Sequence, residues 1–234
     1  VRTRHLSWFQ QAYATPPDWA APVAPDLENL RAARAWAHET GDGESVARLT
    51  VTLYWQGHAY DGAVLEEREW GHLVLASAHL EPALRAQVLT VTSFRDIGAG
   101  DWAAGIAHAR DALALAPDPG EGVLAGAAIP LAIALMVTDP DAAERAIDEG
   151  IERIRRARAP AFSEALLASF KVGTALMRGD PAAAVERGHG IEAATGVMQS
   201  SLGVAFALHL LGDHDGAEAD MNLRHLNVRE SGIG

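Results

Sequence analysis

Apolar positions along the chain recur at helical rather than strand spacing. From Leu27, the residues Leu30, Ala33 and Ala37 follow three or four apart, which places them on one face of a helix, and Gly41 closes the run. Asp26 stands where an N-cap belongs, its carboxylate able to accept from the orphan amides of the first turn, and Gly41 can adopt the left-handed backbone that ends a helix. Further on, runs of helical periodicity come in pairs: 82–97 then 101–116, and 162–177 then 181–195. Pro140 and Pro181 suit the first turn of a helix, where the missing amide has no intrahelical partner. The fold class expected from this pattern is all-α.

A punctuation mark separates the pairs. It reads "GHAYDGA" at Gly57, "GDWAAG" at Gly100, "TDPDAA" at Thr138, "GDPAAA" at Gly179 and "GDHDGA" at Gly212, with intervals of 43, 38, 41 and 33 residues. Each mark is a tight turn, mostly a Gly able to take positive φ, followed by an Asp or other polar group that caps the next helix. Two amphipathic helices per unit at such a period describe an α-solenoid, in which each unit buries its face only against its neighbours. The stretch Tyr13 to Asp26 carries four prolines, which force extended backbone before each ring. The expected organisation is therefore a short helix and Pro-rich linker over 1–25, then a helical repeat domain over 26–234.

Within that pattern, "GDWAAGIAHARDALALAPD" resembles the second half of a tetratricopeptide repeat: a Gly-Asp-aromatic turn, a small residue at Gly105, Ala112 seven residues later, and Pro117 closing the unit. Ala112 and Pro117 match the family's positions, whereas Gly105 stands where Ala is usual. The other units share only the turn and the small residues, and most are longer than the family norm of about 34 residues. A second resemblance covers roughly residues 1 to 75. The order "RHLSWFQQAYA", linker, "DLENLRAARAWAHETGD" and "ARLTVTLYWQGHAYDGAVLEEREW" is similar to the segment that follows the ATPase core in bacterial STAND-type regulators, where such a helix opens a superhelical sensor. The two resemblances imply a right-handed α-solenoid of tetratricopeptide-like helix pairs, serving as a binding and sensor arm in transcription regulation.

Composition narrows the chemistry. Alanine makes up roughly one residue in five and strand-favouring aromatics are few, which fits helices. A formal net charge of -12, with Lys171 the sole lysine, argues against a direct nucleic-acid contact. The chain has no cysteine, so disulfides and thiolate chemistry are excluded. The opening "VRTRHLSWFQ" lacks the apolar core of a signal peptide, and the 17-residue apolar run Gly122 to Thr138 contains Pro130 and is short for a membrane span. A buried repeat helix, no membrane contact and a cytoplasmic location are expected.

No Gly-rich phosphate loop, nucleophile elbow or paired-His zinc helix occurs, so the expectation is a non-enzyme without cofactor or metal. The densest polar cluster is His209, Asp213, His214, Asp215 and Glu218, a ligand set for a metal-dependent hydrolase if it converged, and otherwise a turn with its cap. Arg153, Arg155, Arg156 and Arg158 form the one basic cluster, read as complementing a helix C-terminus while Ile151 and Ile154 pack inward. Trp36, Trp55, Trp70 and Trp102 fall at apolar helical positions and should pack between helices; Trp8 and Trp19 flank the linker.

In tetratricopeptide stacks the first helix of each pair lines the concave surface. The resemblance therefore selects Tyr54, Gln87, Thr90, Phe94, Ser169, Phe206 and His209 as the ligand face. Their mixture of aromatic and neutral polar groups suits a protein or peptide partner, or a small-molecule effector, in a concave groove. A register one residue away would make several of them core. Homo-oligomerisation is left open by the sequence.

Overall fold

The computed structural model describes residues 27–57, 64–77, 79–115, 121–158, 161–195 and 201–230. The expected first helix and Pro-rich linker, with Trp8, Trp19 and the Asp26 cap, lie outside them. The described residues form eleven helices: α1 Leu27–Glu39, α2 Gly43–Gly57, α3 Val64–Ser77, α4 Pro82–Gly98, α5 Trp102–Leu115, α6 Glu121–Thr138, α7 Pro140–Arg156, α8 Ala161–Met177, α9 Pro181–Thr195, α10 Ser201–Leu210 and α11 His214–Glu230. No strand occurs among the described residues. The chain divides into two compact units, Val1–Pro117 and Asp118–Gly234.

The turns form for local reasons. Gly41, Gly100, Gly179 and Gly212 all have φ between 74° and 84°. At each, the glycine amide and the following Asp amide donate back to the last turn, as in Gly179 N to Leu176 O at 2.9 Å and Asp180 N to Ala175 O at 3.0 Å. The same Asp then caps the next helix. Asp42 Oδ1 accepts from Ser45 N, Asp101 Oδ1 from Ala104 N, Asp180 Oδ1 from Ala183 N and Asp213 Oδ1 from Gly216 N, at 2.9 to 3.2 Å. Asp139 does likewise ahead of Pro140, accepting from Ala142 N at 3.0 Å. One Gly-Asp dipeptide thus ends one helix and starts the next.

Within each unit, every helix packs on its successor. In addition α2 packs on α4, α6 on α8, and α8 on α10, whereas no helix contacts one more than two places along within its unit. Nearest and next-nearest packing is what a helical repeat requires. The first unit's core joins Leu30 and Ala37 of α1, Val46, Leu49 and Leu53 of α2, Val74 of α3, and Leu84 and Val88 of α4. The second unit's core joins Ala128 and Ala132 of α6, Ile147, Ile151 and Ile154 of α7, and Leu167 of α8, then continues through Val172, Ala184, Val204 and Ala207. The apolar run that carries Pro130 is α6, with Leu131, Ala132, Ala134 and Leu135 buried. Among the described residues no helix is long and apolar enough to cross a membrane.

Candidate ligand-binding faces

In the first unit, Gln87, Thr90 and Phe94 share one face of α4, three and four residues apart, and α4 packs on the helix that carries Tyr54. Tyr54 and Phe94 stack with ring centroids 5.4 Å apart and planes 26° from parallel. The guanidinium of Arg95 lies over the Tyr54 ring, 4.9 Å from its centroid. Burial raises the Tyr54 hydroxyl well above its ordinary pKa, and the nearby Arg95 charge opposes this only in part. Thr90 is buried and its hydroxyl donates to Ala86 O at 2.9 Å, so this side chain packs within the helix layer. Gln87 and Phe94 are half-buried. The structure therefore brings Tyr54 and Phe94 into one aromatic contact and adds Arg95, which the sequence reading did not single out. Arg95 lies in phase with buried Val88, Val91 and Thr92, and a cation at a core-facing position was the available signal.

A second constellation in this unit was not anticipated. Asp96, 0% exposed, accepts from Arg68 Nε at 2.6 Å and faces His72 Nε2 at 2.9 Å and His108 Nδ1 at 2.7 Å. Arg68 also donates to Asp101 at 2.7 Å. Burial on its own raises the Asp96 carboxyl. Hydrogen bonds from His108, Arg68 and His72, with the His72 charge, outweigh that and hold it down to about 2. An ionised carboxylate only accepts, so the facing nitrogen of each imidazole carries its proton. Both carboxylate oxygens are engaged, and Asp96 ties α3, α4 and α5 together.

A related pair joins α1 to α3. Arg34, 1% exposed, reaches both oxygens of Glu67 at 2.5 and 3.0 Å and lies 4.5 Å from the Trp70 ring centroid, while His38 meets that ring edge-on. Trp70 is thus an inter-helix packing residue, as its spacing predicts.

In the second unit, Ser169 of α8 is half-buried, with its hydroxyl on Leu166 O at 2.6 Å. It does not line the groove that contains the other two predicted residues. Phe206 and His209 of α10, with Gly203 and Ala205, face His214, Ala217, Glu218 and Met221 of α11 across an open groove of about 830 Å³. Phe206 is 54% exposed and Met221 45%. His209 Nδ1 and His214 Nδ1 are 3.1 Å apart across the Gly212 turn. Asp213 is the cap of α11, and no group of three His, Asp or Glu able to hold a metal occurs among the described residues.

Glu144 of α7 is the polar clamp of this unit, accepting from Thr174, Arg178 and Arg187. Burial raises its carboxyl, but those donors and charges hold it below the ordinary value. In the basic cluster, Ile151 and Ile154 are buried as expected, Arg156 Nε donates to Glu152 O at 3.2 Å, and Arg155 pairs with Glu152 and Glu164.

Taken together, these features define an all-helical protein of eleven described helices packed sequentially in pairs. No protein-family model matches the chain, and no curated protein matches it either.

Proposed function

We propose that this protein is a non-catalytic helical-repeat binding and sensor module, its helix pairs winding as a right-handed tetratricopeptide-like α-solenoid, and that it serves as part of a STAND-type ATPase transcriptional regulator. The observation that carries the binding role is the α10–α11 groove. Phe206 and Met221 present large apolar surface to water on an ordered helix pair, at a cost in hydration that a bound partner removes. Supporting it, the selected residues all lie on α2, α4, α8 and α10, helices that stack on one another at next-nearest spacing within their units. The titratable clusters at Asp96 and Glu144 are tied up in inter-helix pairs.

The partner is an amphipathic helical segment whose apolar residues at helical spacing meet Phe206 and Met221. Its binding shifts the conformational equilibrium of an attached ATPase by differential affinity. Panning the intact chain against a library of amphipathic helical peptides should return binders. Phe206→Ser should weaken them at least about tenfold, as loss of an anchoring side chain does. Equal affinity for the variant would remove the groove from the proposal. The full reading frame tests the parent: a Gly-rich phosphate loop upstream supports the ATPase regulator, and its absence leaves a freestanding scaffold.

A further inference from the structure

Among the described residues the first unit has two buried arginines, Arg34 and Arg95, and the second differs in how its charge is met. Arg31, Arg34, Arg48 and Arg68 all pair with carboxylates, at Glu28, Glu67, Glu44 and Asp96. Arg95 is only 6% exposed, yet it pairs with no carboxylate among the described residues, and its buried Nε has no hydrogen-bond partner. Its ring contact is the π face of Tyr54. A π face meets a cation without accepting the in-plane hydrogen bonds that a guanidinium offers, so the buried Nε–H is left without an acceptor.

From this we propose that the Arg95 fork, backed by the Tyr54–Phe94 stack, is a binding site for a small monocarboxylate with an apolar body. Two parallel N–H donors match the two oxygens of a carboxylate, and a single buried cation balances a single negative charge. A phosphate dianion would need a second cation, and the unit's ion-paired guanidinium groups are already matched to carboxylates. The half-buried Phe94, stacked on the same Tyr54 ring that Arg95 meets, offers the ligand's body an aromatic surface. The site belongs to the first unit and does not depend on the α10–α11 groove.

The test uses the intact chain with benzoate, phenylacetate and indoleacetate at millimolar concentration, against phenylacetamide as the neutral isostere and inorganic phosphate as the alternative anion. At least one carboxylate should raise the thermal midpoint and move the Arg95 Nε–H resonance, while the amide leaves both in place. Arg95→Lys retains the charge without the fork and should weaken binding about tenfold or more. Arg95→Gln should abolish it, and if that variant fails to fold the lysine variant carries the comparison. The proposal is overturned if no carboxylate moves the midpoint, if the amide acts equally, if phosphate binds in preference, or if Arg95→Lys binds as tightly as the parent.

Discussion

At Asp96, one carboxylate with no exposed surface accepts from three helical neighbours, and its ionisation is linked to folding. Its folded pKa of about 2 lies below the unfolded 3.8, so the unfolded chain binds the proton more readily at acid pH. The contribution is therefore fully present above about pH 4 and is lost as pH falls towards the folded value. A difference of this size corresponds to about 2 kcal/mol. Asp96→Asn keeps the shape and removes the charge. Urea unfolding should find the variant less stable by about 2 kcal/mol at neutral pH, with the gap closing near pH 2. A gap that is constant with pH would assign the loss to packing, with no part for the ionised Asp96 carboxylate and its donors Arg68, His72 and His108.

Between elements, Gly105 shows how a single missing side chain lets two helices approach. A Cβ at this position would sit 2.6 Å from Ile97 Cγ1 and 3.2 Å from Ser93 O, on the packing face between α4 and α5. Ser93 Oγ also donates to Gly105 O at 2.7 Å, so the two backbones are drawn close. Gly105→Ala should therefore destabilise the protein by about 1–3 kcal/mol through overpacking, even though alanine favours an isolated helix. Removing that atom with Ile97→Ala should recover part of the loss in a double-mutant cycle; purely additive effects would show that Ile97 is not the obstruction. The helices and their turns were legible because their causes are local. A Gly that needs positive φ, an Asp that caps three residues ahead and a Pro in a first turn are all read from neighbouring residues, and 181–195 is helical over the expected span. What was not legible depends on register between helices. Asp96 meets Arg68 and His108 only because three helices converge, and whether Thr90 faces a groove or the helix layer turns on a rotation that spacing alone leaves open.

For the chain as a whole, a net charge of -12 sets a background against which the local pairs act. Most of the exposed pairs, such as Arg48 with Glu44 and Arg155 with Glu152, are of a kind that contributes little to stability. Excess negative charge repels itself over distances comparable to the Debye length, about 8 Å at physiological ionic strength. The Arg34–Glu67 and Asp96 pairs, at 2.5 to 2.9 Å and shielded by burial, are far less screened. Raising sodium chloride from low concentration to physiological strength should therefore weaken the repulsion more than the pairs that hold the helices together. The thermal midpoint should rise by a few degrees over that range and then level off. A midpoint that falls with salt would mean that exposed pairs outweigh the net charge, and would shift the balance of stability from the buried clamps to the surface.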